Sequence, residues 1–214
     1  MDQQTSGETS ADNTVPDIVV ARLPIYLRAL ATMQAGGKQY TSSQEMADLL
    51  GISSAQIRKD LSHFGEFGKQ GTGYSISELH GRLRHILNLE HDWNLIVIGA
   101  GHIGSAVASY SGFEHRGFRV AGIFDNDPRK VGLSLGQFQV IDIRDLAFFV
   151  KQNQVKLAMI TVPAPYAQGV ADQCVAAGIH GILNYAPVNL SVPDHVNVQN
   201  IDPVLHLQHM TYYL

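Results

Sequence analysis

Trp93-Asn94-Leu95-Ile96-Val97-Ile98-Gly99-Ala100-Gly101-His102-Ile103-Gly104 is an apolar run that breaks into three glycines spaced as GxGxxG. Leu95 to Ile98 shows no polar alternation, the pattern of a parallel strand covered on both faces. Gly99 permits a tight turn, Gly101 lets main chain approach a pyrophosphate, and Gly104 lets the next helix pack closely on the strand. A helix over 103–110 would then aim unpaired N–H groups and its positive dipole end at phosphates, with Ala100, His102 and Ile103 completing the turn. A lone GxGxxG also occurs as a plain turn between strand and helix, so a second signal is needed. It is Arg119-Val120-Ala121-Gly122-Ile123-Phe124-Asp125, another apolar strand, ending in a carboxylate. Asp125 lies about twenty residues past the last glycine, where an acid accepts from the adenosine ribose hydroxyls and repels a 2'-phosphate. That points to NAD+ and NADH. Asp127 adds negative charge, whereas Arg129 and Lys130 argue the other way unless they face adenine or solvent.

The 214 residues hold one such unit and a companion of about 80 residues, so two domains are expected. A mean hydropathy of −0.01 and the lack of any run of eighteen apolar residues argue against a membrane partner. The first residues are polar and acidic, unlike a secretory signal. The single cysteine, Cys174, cannot form an internal disulfide and sits among alanines on an expected helix, where a core role is the simpler reading. A cytoplasmic location follows as an expectation.

Charge divides unevenly along the chain. Residues 1–15 carry Asp2, Glu8 and Asp12 with no base, and read as a disordered tail. Residues 16–88 hold eight Lys/Arg against six Asp/Glu, while residues 89–214 hold seven against ten. So small an excess does not itself indicate nucleic acid; the placement of the bases does.

They fall on a helix-turn-helix pattern. Thr41-Ser42-Ser43-Gln44-Glu45 carries hydroxyls and a first-turn acid, a start signal for a helix over 43–50. Ala47 is small where two helices touch, Gly51 makes the turn, and Ile57 anchors a second helix over 54–64. Ser53 or Ser54 would cap that helix, with Ile57, Leu61 and Phe64 as its buried stripe. Ser54, Gln56, Arg58, Lys59, Ser62 and His63 remain for base edges and phosphates, although the same face suits an ordinary solvated helix. The sequel, Gly65, Gly68, Lys69, Gly71, Thr72, Gly73 and Tyr74, reads as a glycine-rich hairpin, which would make a winged helix.

The spacing further predicts a largely helical Ile18 to Gln34 that starts late or kinks at Pro24, and a linking helix capped by Ser77 with Leu79, Leu83, Ile86 and Leu87 inward. Strands near 95–98, 119–124, 138–141, 156–162, 181–184 and 196–199 alternate with helices. The expected fold is therefore α/β, an N-terminal winged helix-turn-helix (16–88) followed by a Rossmann doubly wound parallel sheet (89–200). Thr161-Val162-Pro163 and Asn184-Tyr185-Ala186 end two strands beside the crevice, so these six residues join the candidate cofactor contacts. A last helix within 201–214 is apolar enough to need a partner surface.

A winged helix joined to an NAD-type domain in this length resembles the Rex family, the bacterial redox-sensing transcriptional repressors. The resemblance covers roughly residues 16–214 and rests on Arg22 to Arg28, Ser54 to Ser62, the wing, Gly99 to Gly104, Phe124 to Pro128 and Gly181 to Pro187. It implies a homodimer that binds a palindromic double-stranded operator when NADH is scarce and leaves it when NADH binds, with the C-terminal helix swapped between subunits as a dimerisation element. It also implies switch residues Tyr110 beside the nicotinamide, Asp202 reaching from the other subunit, and Arg22 in the DNA domain. Pro203 stands where relatives can place an aromatic.

Two other classes fit parts of the chain. A small NAD-dependent dehydrogenase or CoA-binding enzyme subunit would need a general acid or base, for which Tyr110, Tyr185, His102 and His115 are the nearby candidates, but no second catalytic domain is available. A plain winged-helix regulator would use the Rossmann unit only as scaffold. His206 and His209 are three apart, yet no Cys or carboxylate cluster accompanies them as metal ligands.

Overall fold

The computed structural model describes residues 15–68 and 73–214. The chain divides into an N-terminal unit up to Glu90 and a second unit from His91 to Leu214. Most of the acidic tail, residues 1–14, and Lys69, Gly71 and Thr72 of the expected wing lie outside the described residues.

The N-terminal unit begins with α1 (Asp17–Val20) and α2 (Leu23–Ala35), so the helix expected over Ile18 to Gln34 is two helices broken at Ala21 and Arg22. Of the two effects expected of Pro24 it is the late start that occurs, without a kink. Pro24 occupies the first turn of α2, where its missing N–H would have had no intrahelical partner. β1 (Tyr40–Thr41) leads into α3 (Ser43–Leu50), which starts on a complete capping box: Ser42 Oγ accepts from Glu45 N, and the Glu45 carboxylate accepts from Ser42 N. Gly51 ends α3 in the left-handed region (φ 66°) and makes the helix-turn-helix turn. α4 (Ser54–Ser62) follows, capped by Ser53 and ending two residues earlier than its spacing suggests, which leaves Phe64 only part-buried beyond it.

β2 (Tyr74–Ser75) pairs antiparallel with β1, Tyr40 against Ser75 and Thr41 against Tyr74. This pairing draws the start of α5 (Ile76–Ile86) forward, so that Ser75 rather than Ser77 accepts from Glu78 N. Leu23, Tyr26, Leu30, Met46, Ile57, Leu61, Ile76, Leu79 and Leu83 form the core of the unit. Asp17–Ala35 has the length and apolarity of a membrane span, but Leu23, Tyr26 and Leu30 are wholly buried in this core.

The second unit is a seven-stranded sheet. Its strands are β3 (Trp93–Ile98), β4 (Phe118–Asp125), β5 (Ser134–Leu135), β6 (Phe138–Asp142), β7 (Leu157–Ile160), β8 (Gly181–Asn184) and β9 (Asn197–Asn200), in spatial order β5-β6-β4-β3-β7-β8-β9. Every pairing is parallel except β5 with β6, so the expected all-parallel sheet carries one antiparallel edge. α6 (His102–Ala108), α7 (Leu146–Gln152), α8 (Ala164–Ala177) and α9 (Pro203–Thr211) complete the unit. Alternate residues of β3 serve two cores: Ile96 and Ile98 pack with Leu146, Val150, Ala167, Ala171 and Cys174, while Leu95 and Val97 pack with Ala108, Ile123 and Met159. The chain runs from β3 to β4 on one side and reaches β7 on the other. The sheet order therefore reverses between β3 and β7, and the carboxyl ends of those strands open a crevice.

Candidate nucleotide cleft and helix-turn-helix

The crevice is built from the glycine turn. Gly99 (φ 106°) donates from its N–H to Phe124 O at 2.7 Å, which ties the turn to β4. The Thr161 hydroxyl donates toward the Ile98 and Gly99 carbonyls at 3.0 and 2.9 Å, which ties it to the end of β7. A Cβ at Gly104 would stand 1.8 Å from Gly99 O, so α6 lies against the turn as closely as backbone allows. A Cβ at Gly101 would meet nothing within 4 Å, because Gly101 faces the open cleft. The two glycines therefore do different work, one for packing and one for access.

The cleft encloses about 660 Å³. Gly99, Gly101, His102, Ile103, Asp125, Thr161, Val162, Pro163 and Tyr185 of the sequence-predicted contacts line it. Asp125, 7% exposed, closes the β4 side: its Oδ2 accepts from Ala100 N at 2.8 Å and Lys130 Nζ at 2.9 Å, its Oδ1 from Asp127 N at 2.9 Å. Burial works to raise this carboxyl, yet the Asp127 N–H, the Lys130 ammonium and the Ala100 N–H outweigh it and hold it below the ordinary carboxylate range. Arg129 is paired in turn with Asp127, whose carboxyl it draws down to about 2. Both bases that complicated the sequence reading are thus matched by the chain's own acids.

Several expected contacts stand elsewhere. Asn184 is fully buried with its side-chain groups engaged by Ala186, Val188 and Asn200. Ala186 is 4% exposed, Gly104 is buried, and Ala100 is committed through its N–H to Asp125. Tyr110 is half exposed and lines a second cavity with Phe113, Leu135, Gly136 and Phe138, its ring edge-on to Phe113 at 5.2 Å. Asp202 caps α9 by accepting from Val204 N at 2.9 Å. Tyr166, Ile143, Gln173 and Asn126 line the cleft without having been singled out from sequence. Tyr166 had a usable signal: it falls in the first turn of the helix after a strand end, where side chains at the carboxyl edge of a parallel sheet face the crevice.

In the N-terminal unit α4 presents Arg58, Lys59, Ser62 and His63 exposed and Ser54 and Gln56 half-buried. Arg58 Nη1 donates to Ser43 Oγ at 2.9 Å and Ser62 Oγ to Lys59 O at 2.7 Å. Lys69 lies outside the described residues. Gln56 is held inward, donating to Asp60 Oδ1 at 2.6 Å. Asp60, absent from the sequence-based candidates, is wholly buried and also receives Arg22 through two bonds and the Tyr26 hydroxyl at 2.6 Å. Burial opposes its ionisation, but the bonds from Arg22, Tyr26 and Gln56 prevail and keep its carboxyl below the usual range. Burial and then Asp60 push the Tyr26 hydroxyl up to about 12.

Residues 14–62 match the family described as "Putative DNA-binding protein N-terminus", and residues 90–188 match the CoA binding domain family. The chain is 47% identical over 199 residues to the redox-sensing transcriptional repressor Rex of Roseiflexus sp. (strain RS-1), covering 93% of this chain and 90% of that protein. The chain belongs to the Rex family. Rex of Carboxydothermus hydrogenoformans is 43% identical, with 92% of this chain and 95% of that protein covered. Among solved structures, the Rex-family repressor RSP in complex with β-NAD+ and operator DNA matches with a TM-score of 0.88 at 38% identity, over 94% of this chain and 92% of that one. RSP in complex with β-NADH matches with a TM-score of 0.83 at 37% identity, over 93% of each chain. The fold is thus that of Rex proteins, with a DNA-binding N-terminal unit and a Rossmann-like second unit, and these relatives are transcriptional repressors rather than enzymes.

Proposed function

We propose that this Rex protein binds NAD+ or NADH in the cleft between β3 and β7, binds a palindromic operator through α4 of two copies, and releases the operator when NADH replaces NAD+. The observation that carries the reading is the cleft: Gly101 leaves open space at the start of α6 while Asp125 closes the ribose side with its bases already neutralised. This favours a pyrophosphate beside Gly101 and disfavours a 2'-phosphate beside Asp125. RSP, solved with each of the two nucleotides and with operator DNA, supports the same reading.

A ligand shifts a two-state equilibrium only by its differential affinity. NAD+ and NADH differ at one ring: the oxidised nicotinamide is cationic, and the reduced one is neutral and easier to bury in a dry pocket. A difference of about 3–5 kcal/mol carries the protein from mostly bound to mostly free. Val162, Pro163 and Tyr185 of the cleft wall take the nicotinamide end in this reading, joined by Tyr110 from the separate cavity that it lines and by Asp202 of the second copy, with Arg22 as its counterpart in the DNA unit. α9 and the residues after it leave Val204, Leu205, Leu207, Met210, Tyr213 and Leu214 at least 55% exposed, which suits a segment exchanged between subunits of a homodimer. A cytoplasmic location places it with both the genome and the nicotinamide pool.

The test is fluorescence anisotropy of a labelled palindromic duplex at fixed salt, titrated with protein in NAD+ or NADH. At least tenfold weaker binding in NADH is expected; equal affinities refute the switch. Leu205→Glu with Leu207→Glu converts the dimer to monomer in light scattering if α9 is the exchanged element.

A further inference from the structure

Asn184, the last residue of β8, has a wholly buried side chain although it stands next to the cleft. Its Nδ2 donates to Ala186 O at 3.1 Å, Val188 O at 2.8 Å and Asn200 Oδ1 at 2.9 Å, and its Oδ1 accepts from Ala186 N at 3.0 Å. Its main-chain oxygen accepts from Ile201 N at 2.8 Å. One residue is thereby bonded to two segments of different character. The first is the loop 185–188, whose Tyr185 and Pro187 form part of the cleft wall. The second is the end of β9 and the step out of it, Asn200 and Ile201, which leads directly to Asp202, the cap of α9.

We propose that Asn184 and Asn200 are positioning residues that transmit the occupancy of the cleft to α9. A buried amide whose donors and acceptor are all engaged does not slide continuously; it keeps its partners or exchanges them as a set. Any ligand that moves Tyr185 or Pro187 pulls on the Ala186 and Val188 carbonyls held by Nδ2. The same Nδ2 holds Asn200, so the displacement reaches the residue pair that sets the start of α9. Neither asparagine is a nucleotide contact in this scheme, which reassigns Asn184 from the role its sequence position suggested. The inference deepens the proposed function and rests on it for the meaning of the α9 movement, but not for the movement itself.

The experiment uses the full chain and three variants. Asn200→Ala removes the acceptor of the Asn184 Nδ2 bond, Asn200→Asp retains an acceptor oxygen at the same place, and Asn197→Ala alters the same strand at a residue with no bond to Asn184. Hydrogen exchange of segments 99–104, 185–188 and 201–211 is followed with and without saturating NADH, beside NADH affinity and the factor by which NADH weakens operator binding. In the unaltered chain, Asn197→Ala and Asn200→Asp, NADH is expected to change exchange in all three segments. In Asn200→Ala the change at 201–211 is lost, the change at 99–104 and 185–188 persists, NADH affinity stays within threefold, and the operator factor falls at least tenfold. Asn200→Ala that still transmits the change to 201–211 overturns the inference. An unaltered chain whose 201–211 segment responds to NADH while its operator affinity does not refutes the proposed function and leaves the relay standing; one that takes up no NADH overturns both.

Discussion

The Arg22 guanidinium grips Asp60 with two bonds, Nε to Oδ2 at 2.6 Å and Nη2 to Oδ1 at 2.7 Å, so the start of α2 and the helix assigned to DNA are joined by a charge pair whose carboxylate is fully buried. Removing one partner of such a pair leaves an uncompensated charge, which costs more than the pair itself contributes. Asp60→Ala is therefore expected to lower unfolding free energy by about 3–5 kcal/mol, and Arg22→Met with Asp60→Leu to cost clearly less than the two single changes together. Urea denaturation of the single and double variants measures this. An additive double variant would show that the two residues do not act as a pair.

The same carboxyl sets a pH dependence. Its folded-state pKa lies below the ordinary 3.8, so its stabilisation is complete above that value and is lost as pH falls through the lower folded value. Unfolding free energy of the unaltered protein should decline below about pH 4 more steeply than that of Asp60→Asn. Parallel acid limbs for the two proteins would count against this assignment.

Gly101 and Gly104 separate nucleotide binding from folding. Gly101→Ala adds a methyl into empty space at φ −90°, an unstrained backbone, so melting temperature should stay within about 2 °C while NADH affinity falls at least tenfold. Gly104→Ala drives its methyl into Gly99 O and should lose both stability and binding. Intrinsic NADH fluorescence and calorimetry read the two effects; undiminished affinity in Gly101→Ala would move the pyrophosphate elsewhere.

Lys59 and Arg58 are exposed on α4. Lys59→Ala should weaken operator binding at all sequences and flatten the log K against log salt line by about one unit of slope, as for one lost phosphate contact. Arg58→Ala should do the same or more, since Arg58 also braces α4 on Ser43. An unchanged slope in both would take this face off the DNA.

Cys174, on the buried face of α8, is 0% exposed, and burial pushes its thiol up to about 12. A thiol in that setting is neither nucleophilic nor reachable. Ellman's reagent should find no thiol in the native protein and one per chain in denaturant, and Cys174→Ala should respond to NADH as the unaltered protein does. Redox sensitivity lost in Cys174→Ala would place the sensing in sulfur chemistry instead.

Much of the fold was legible because its signals are local. The capping box at Ser42 and Glu45, the turn at Gly51 and the strand that runs into Gly99 each depend on residues within a few positions, and each forms as its spacing predicts. What escaped depends on partners far along the chain. Asp60 reads as one more polar residue between Ile57 and Leu61, and it is Arg22 and Tyr26, 38 and 34 positions earlier, that make it a core residue. Ser77 read as the cap of α5, and only the β1–β2 pairing moves the start of the helix back to Ser75. Asn184 stood at a strand end beside the cleft, the usual place for a ligand contact, and only the return of β9 turned its amide into the interior.

Strand β9 shows Asn197, Gln199 and Asn200 on its exposed positions, and the opposite margin of the sheet is closed by only two residues, Ser134 and Leu135. The consequence is colloidal. A polar border on one side and a stub on the other give a foreign strand little to add to, which disfavours edge-to-edge growth of the sheet. The exposed apolar side chains of the second unit are instead densest from Val204 to Leu214, off the sheet margins altogether.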